Sequence, residues 1–490
     1  MNTAIKQKTF TSIRWTTIGS ISRTLLGLAQ IVILTRLLMP EDYGLMAIIT
    51  AIIGIAMLVS DFGVNIAFVQ CQDVTEEQRS SLFWFNVLVG LGLTMILVVS
   101  SPVFSWLFSD ERLTPLIMLS SSVFLIIALS SQVKLAAEKA LNFKPVVIVE
   151  IVSSTIGLLV GIAMAYGGWG VYALVFAAIS TSIASTTFFW VFLSQGWRPL
   201  WRMKLVDLRP FIRFGTAVVA NNIVRELHSR LDIFLGGRLL GADALGIYSV
   251  PRNMVMQVQS AVNPIITRVG FPLIAQAQFD VSRVRAIYLK TIRMVASVSV
   301  PIYLYVSIFS SEVVTVLLGM KWHGAGTILS FLALWGAVRS LGNPVGSLLM
   351  GTGRASLALR WNSVLLLVTP FFYWLGSQYG PEGLAKAMFA MSLILFVPGW
   401  YFLVRPSCHA GLLEYSASAL KPFLLAGVAF VPAYIAATQL EMAIVRLAVG
   451  ATIGGPLYLL LSYRFNREWS DAMLELLGIK GDDHHRLKGV

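Results

Sequence analysis

Along this chain, long apolar stretches alternate with short polar segments from near the first residues to about residue 463. Crossing ~30 Å of hydrocarbon takes about 20 residues of α-helix. Stretches of that order recur at 13–36, 43–70, 81–108, 114–134, 145–166, 169–194, 211–237, 243–273, 287–318, 323–350, 355–378, 381–404, 416–438 and 442–463. Inside a bilayer no water satisfies the backbone, so each stretch must close its own hydrogen bonds as a helix. The pattern predicts an all-α integral membrane protein of about 14 transmembrane helices. Pro251, Pro264, Pro301, Pro344, Pro370, Pro398, Pro432 and Pro456 fall within or at the ends of these spans. They are expected as static kinks whose freed carbonyls are satisfied by neighbouring helices.

Composition excludes the soluble alternative. Of 490 residues, 57% are hydrophobic and 12% charged, about half the charged share of an average soluble domain. The net charge of +13 would suggest nucleic acid in a soluble protein. Here its distribution gives a different reading. With both termini in the cytoplasm, the inside segments hold Lys6, Lys8, Arg79, Lys134, Lys139, Lys144, Arg198, Arg202, Lys204, Arg209, Arg213, Arg283, Arg285, Arg354, Arg405 and more. The outside segments hold only Arg36, Arg112, Arg238, Lys321, Lys386 and Arg446. That asymmetry follows the positive-inside rule and favours an even number of spans. No cleavable leader pattern precedes the first span. Cys71 and Cys408, placed in separate cytoplasmic loops, are too few for a disulfide framework or metal site. The longest connection, Gln195 to Pro210, mixes Trp197 and Trp201 with Arg198, Arg202 and Lys204. Aromatic and basic residues together suit the headgroup region. Of a lipid-surface role and an ordinary interfacial linker joining two halves, the linker is the favoured expectation. A short amphipathic helix (Trp469, Met473, Leu476, Leu477) opens the polar tail, and the paired His484 and His485 near its end carry no metal signature.

The chain also repeats itself. Ile21, Arg23, Leu25, Ile31, Arg36, Leu37, Leu38 and Gly44 recur 202 positions later as Ile223, Arg225, Leu227, Ile233, Arg238, Leu239, Leu240 and Gly246. Two arginines and a glycine among these identities are harder to attribute to an apolar background than leucines would be. A second echo pairs Tyr166, Gly167 and Gly170 with Tyr379, Gly380 and Gly383. Span 1 then corresponds to span 7 and span 6 to span 12. The expected organisation is an N-lobe at 1–194, a cytoplasmic linker at 195–210, a C-lobe at 211–405, two extra spans within 406–465 and a cytoplasmic tail at 466–490. Such repeats mark secondary transporters that bind substrate between two lobes.

Several charges lie where hydrocarbon should be. Arg23, Asp61, Arg225, Glu226, Arg230, Asp232, Arg252, Arg268 and Arg339 fall inside apolar spans. Each costs about 2.5–3.5 kcal/mol at a helix centre, so each must face protein or water. Helical spacing collects them into stripes. Span 1 carries Thr16, Ser20, Arg23, Gly27 and Gln30; span 7 carries Asn222, Arg225, Ser229 and Asp232. Span 8 carries Arg252, Gln259 and Asn263; span 10 carries Arg339, Asn343 and Ser347. Four polar faces at membrane depth imply a hydrated cavity. Glu226 and Arg230, four apart in the favourable order, are expected to neutralise each other. Arg23, Arg225, Arg252 and Arg339 lack an acid nearby in sequence. A guanidinium donates two parallel hydrogen bonds to phosphate, so an anionic head such as a pyrophosphate fits them. Pairing between helices with Asp61 and Asp232 is the competing reading for any single arginine. Asp61 and Asp232 are themselves candidates for a coupling ion or proton. No Walker loop, H-E-x-x-H or metal cluster supports catalysis, and no cofactor is expected.

Certain residues carry a resemblance. Arg36-Leu37-Leu38-x-Pro40-Glu41-Asp42-Tyr43-Gly44-Leu45 is followed by Asp61-x-Gly63, Ala67-x-Val69-Gln70, Thr75 and Phe83-Trp84-x-Asn86. Further on stand Asn142-Phe143-Lys144 and Gly167-x-x-Gly170-Val171-Tyr172-Ala173-Leu174-Val175. Together they resemble the polysaccharide transporter family, Wzx-type flippases of the multidrug/oligosaccharidyl-lipid/polysaccharide exporter superfamily. The likeness is densest from Thr35 to Val175 and continues in span pattern to about Arg405. It implies a twelve-helix, two-lobed core plus two helices in the bacterial cytoplasmic membrane, the two extra helices offering a lateral groove for the polyprenyl tail that no residue pattern here shows. The implied substrate is an undecaprenyl-pyrophosphate-linked oligosaccharide, flipped to the periplasmic leaflet by alternating access. Implied partners are membrane lipid, a polysaccharide polymerase and assembly proteins, with no nucleic acid. In such proteins cavity arginines engage pyrophosphate and acidic sugars. One alternative is a drug or cation exporter of the same superfamily, which predicts an acid-dominated cavity. A membrane-embedded glycosyltransferase or polymerase would need carboxylates on a sizeable outer loop, and the outer segments here are short.

Overall fold

The computed structural model describes residues 3–60, 68 and 74–476, with the side chains of 3–10, 13, 59, 205–207, 209–222, 261–269, 475 and 476 outside that description. Every regular element among them is helical. In chain order these are α1 (Thr3–Leu37), α2 (Pro40–Ser60), α3 (Glu76–Phe108), α4 (Leu113–Lys139), α5 (Phe143–Tyr166), α6 (Val171–Leu193) and α7 (Leu205–Gln276). They continue as α8 (Val281–Ile308), α9 (Ser310–Leu317), a 3-10 turn (Met320–Trp322), α10 (Ala325–Gly351), α11 (Ala355–Ser377), α12 (Gly380–Ile394), α13 (Phe396–Cys408), α14 (Leu412–Ala437), α15 (Ala443–Phe465) and α16 (Arg467–Leu476).

Local chemistry sets the helix ends. Pro40 opens α2, where its missing N–H costs nothing, and Glu41 and Asp42 follow in the positive first turn. Thr75 and Gln78 form a reciprocal capping box on α3, with bonds of 3.1 and 3.2 Å. Asp280 caps α8 by accepting from the Arg283 amide at 3.1 Å. Arg112 lies between α3 and α4. Its guanidinium bonds Asp110 at 2.7 Å and Glu41 of α2 at 2.6 Å, tying two helix starts together. Those bonds hold the Asp110 carboxyl below the usual carboxylate range.

Twelve helices among the described residues are long and apolar enough to span a bilayer, and the pair α12–α13, bent by 41°, makes a thirteenth. The expected fourteen separate spans therefore do not appear as such, and the difference lies in α7. The loop expected between spans 7 and 8 shrinks to Gly241, at φ 81° and ψ 175°, a conformation open only to glycine. Two arms, 205–240 and 242–276, meet there without any longer connection. The stretch expected as one span at 287–318 is divided at Phe309 into α8 and the short α9. Cys408, expected in a loop, instead ends α13 and is fully buried. Cys71 and Asp61 lie outside the described residues. In α13 the helix widens to a π-type turn over Trp400–Val404, just after Pro398.

The chain forms two compact units, Met1–Val250 with Asn362–Leu384 and Pro251–Trp361 with Ala385–Val490. In the first, α3 packs on α4, α4 and α5 on α6, and α1 on α5. Gly157 brings α5 against α6, since a Cβ there would lie 1.9 Å from Thr181 Oγ1. In the second unit, α8 packs against α10 and α14, and α14 against α15. Tyr288, Ile292, Phe430, Tyr458 and Trp469 share one buried cluster. The helices beyond residue 412 are thus part of the core of the second unit.

The sequence repeat reappears as a contact within the first unit. A Cβ on Gly44 would lie 1.7 Å from the carbonyl oxygen of Ala242, and a Cβ on Gly246 would lie 1.7 Å from that of Pro40. Pro40 and Ala242 are themselves 202 positions apart, as are the glycines. The start of α2 and the start of the second arm of α7 therefore cross reciprocally, each glycine admitting the other's backbone.

Candidate functional site

In the first unit, α1 carries Arg23, whose half-exposed side chain forms an ion pair with Glu150 of α5. Glu150 also binds Lys134 of α4 at 2.8 Å, and Lys134 stands 3.9 Å from Glu138. Sequence spacing could not show the first pair, because 127 positions separate its members. The only sequence hint of the cluster is the i, i+4 spacing of Lys134 and Glu138. Gln30, two turns along α1, is half-buried.

The first arm of α7 carries the matching face. Arg225 is exposed and has no ion-pair partner among the described residues. Asn222, its stripe neighbour, has its side chain outside the described residues. Glu226 and Arg230 pair at 2.6 Å, as their spacing predicts. Arg230 also donates to the Thr50 carbonyl at 3.2 Å, and Gly54 leaves room for the guanidinium, whose Nη2 lies 2.5 Å from where a Cβ would stand. Asp232 is buried to 1% exposure and accepts a 2.7 Å bond from the Tyr248 hydroxyl of the second arm. His228 and Thr369 of α11 meet at 3.0 Å. Tyr248→Phe removes a donor from a buried carboxylate, so we expect a loss of about 1–3 kcal/mol in stability, read as a lower denaturation midpoint of the purified full chain.

In the second unit, two predicted stripes face each other. Gln259 of α7 donates through Nε2 to Asn343 Oδ1 of α10 at 3.3 Å. The other amide atom of Gln259, Oε1, is buried with no partner among the described residues. Arg252 is buried at 8% exposure, and the Arg339 guanidinium lies 4.9 Å from the centre of the Trp335 ring. A cation over an aromatic face is attracted by the ring's quadrupole. Asn263 and Arg268 lie outside the described side chains.

The same unit holds an apolar groove beside the two extra helices, where the resemblance implies one and no residue pattern located it. This groove of about 450 Å³ runs between α8, α14, α15 and α16, lined by Ser297, Val298, Pro301, Ile302, Tyr305, Phe430, Ala451, Gly455, Tyr458, Leu459, Trp469 and Met473. Its surface is almost wholly apolar. Trp469 reaches it from α16 with its indole N–H buried and unpaired among the described residues. It forms where α8 packs against the three consecutive helices α14–α16, more than 100 residues further along the chain, so no local pattern announces it.

Among the described residues, all-helical structure with charged and amide side chains inside long apolar helices defines a multi-pass membrane protein. Comparison with known proteins makes the family specific. Residues 33–326 match the family described as polysaccharide biosynthesis protein. The teichuronic acid biosynthesis protein TuaB of Bacillus subtilis (strain 168) is 30% identical over 94% of this chain and 96% of its own length. The lipopolysaccharide biosynthesis protein WzxC of Escherichia coli (strain K12) is 26% identical over 88% of each. The chain belongs to this polysaccharide biosynthesis family, as the motifs from Thr35 to Val175 indicated. Among solved structures, the lipid II flippase MurJ in an inward closed conformation superposes with a TM-score of 0.73 at 13% identity, covering 93% of this chain and 99% of that one. An inward-facing MATE family multidrug transporter of the MOP superfamily gives 0.60 at 14% identity, over 82% and 98%. The fold is therefore that of MurJ and MATE transporters, in a multi-pass membrane protein.

Proposed function

We propose that this protein is a flippase that moves polyprenyl-pyrophosphate-linked oligosaccharides across the bacterial cytoplasmic membrane by alternating access, without catalysing a chemical reaction. Family membership and the fold support the class. The observation that carries the substrate is Arg225, a guanidinium within an apolar helix, exposed and without an ion pair among the described residues. At that depth an uncompensated cation is costly unless water or an anion meets it, and pyrophosphate suits its planar fork. Arg23, Gln30 and Asn222 of the first unit, and Arg252, Gln259, Arg339 and Asn343 of the second, are the further candidates for binding the head and sugars. Asp61 and Asp232 are the candidates for ion coupling. The apolar groove beside α14–α16 suits the polyprenyl chain, since burial of each methylene contributes about 0.8 kcal/mol. In this reading the two lobes expected from the sequence, 1–194 and 211–405, are the alternating parts, with both termini in the cytoplasm. Membrane lipid and polysaccharide-assembly proteins are its partners, and nucleic acid is not.

The full chain in proteoliposomes should accelerate transfer of a polyprenyl-pyrophosphate oligosaccharide to the opposite leaflet over protein-free vesicles. It should not move an organic cation. Cation transport without lipid transfer would instead assign the drug-exporter reading.

A further inference from the structure

The connection between α6 and α7 has a structure that neither lipid flipping nor the repeat requires. It runs along the first two turns of α3 and is bonded to them at three points. The Leu200 amide donates to Ser80 Oγ at 3.1 Å, the Lys204 amide to Ser81 Oγ at 3.2 Å, and the Trp84 indole N–H to the Leu200 carbonyl at 2.8 Å. Arg202 pairs with Glu77 at 2.7 Å. Trp197 stacks on Trp190 with ring centres 5.9 Å apart and lies beneath the Arg79 guanidinium at 3.9 Å. A segment so fixed is a platform rather than a slack tether.

What the platform presents is apolar surface edged by cations. Trp201 packs at a tilt on Trp84 with ring centres 4.7 Å apart, yet remains 91% exposed. Leu200 is 47% exposed beside it. Trp84 sits eight residues into α3, roughly 12 Å along its axis from Glu76 at 1.5 Å per residue. Trp201 itself lies in the connection, packed on that helix, and tryptophan concentrates at the headgroup level of a bilayer. Arg198 and Lys204 stand three residues to either side of it in the chain, both exposed and without an ion-pair partner among the described residues. The other two cations of the platform are occupied, Arg202 by Glu77 and Arg79 by Trp197.

We infer that Trp201, Arg198 and Lys204 form a binding site for anionic phospholipid, the indole entering the acyl boundary while the two cations hold the headgroup phosphate. The charge pattern selects anionic over zwitterionic lipid, since each basic residue near the surface favours anionic lipid by roughly five-fold. The site is separate from the residues assigned to the transported substrate.

The full chain is placed in nanodiscs of phosphatidylcholine with a minor fraction of phosphatidylglycerol, one or the other brominated in its acyl chains near the headgroup. Trp201 fluorescence is isolated as the difference between the protein and its Trp201→Phe variant. At equal mole fraction, brominated phosphatidylglycerol should quench that signal several-fold more than brominated phosphatidylcholine. R198Q/K204Q should remove the preference while leaving quenching by phosphatidylcholine intact, which also shows that the variant is folded and inserted. K290Q/R360Q, which removes two charges elsewhere, should leave the preference unchanged. Equal quenching by both lipids in the unaltered protein overturns the inference. So does absence of quenching by either, which would mean that water or a protein partner covers Trp201.

Discussion

Alanine at Gly44, or at Gly246, is expected to destabilise the folded protein by about 3 kcal/mol, the upper end of the usual cost of overpacking. In each case the added Cβ falls 1.7 Å from a backbone carbonyl oxygen. A carbonyl in a helix cannot rotate aside as a side chain would, so α2 and the second arm of α7 must separate. Because both glycines serve one crossing, the double variant should cost clearly less than the sum of the singles. Gly427→Ala is the control. No atom lies within 4 Å of the added carbon there, and alanine suits a helix interior better by about 0.5–1 kcal/mol. Denaturation midpoints of the detergent-solubilised full chain read all four proteins. If Gly44→Ala and Gly246→Ala behave like Gly427→Ala, the reciprocal crossing is not part of the stable fold.

Arg225→Ala should lower the flipping rate of a pyrophosphate-linked oligosaccharide by roughly ten- to a hundredfold, the kinetic equivalent of a charge-assisted contact worth about 1.5–3 kcal/mol. Arg225→Lys should recover only part of the rate, because an ammonium supplies the charge without the fork. Arg23→Ala should show a smaller loss. Glu150 already occupies that guanidinium, so the contribution of Arg23 to an anionic substrate is reduced by the bond it must first give up. Glu150→Gln, which releases Arg23 while leaving its helix intact, should tighten binding of the substrate head. Rates and substrate affinities in proteoliposomes measure each of these. Unchanged rates in both Arg225→Ala and Arg23→Ala would remove these arginines from the substrate path.

Much of the molecule is legible in one dimension because the bilayer enforces a rule that ordinary cores do not. Apolar length and backbone self-sufficiency together oblige a helix, and the ends of α3, α10, α14 and α15 fall within a few residues of the expected positions. The Glu226–Arg230 pair was legible for a similar reason, since four residues make one turn and a bit more. The joining of spans 7 and 8 was not. It depends on a single glycine at φ 81°, and nothing local distinguishes Gly241 from glycines that merely sit inside helices.

The candidate site divides along the same line. Periodicity placed Gln259 and Asn343 on polar faces, and packing then brought those faces within 3.3 Å. Arg23 lacked an acid in its own stretch of chain, yet folding supplied Glu150 from 127 positions away. Asp232 was identified as a carboxylate in an apolar span, while its burial under Tyr248 followed from the turn at Gly241.

The amino-acid sequence alone determined the membrane class, the helical content and the family, because each depends on local apolar length or on short motifs read along the chain. Only the tertiary structure decided which charges are paired, where glycine admits a crossing backbone, and that α14–α16 close an apolar groove. Those outcomes depend on distances between helices, and a helix carries no record in its own residues of which neighbour will stand beside it.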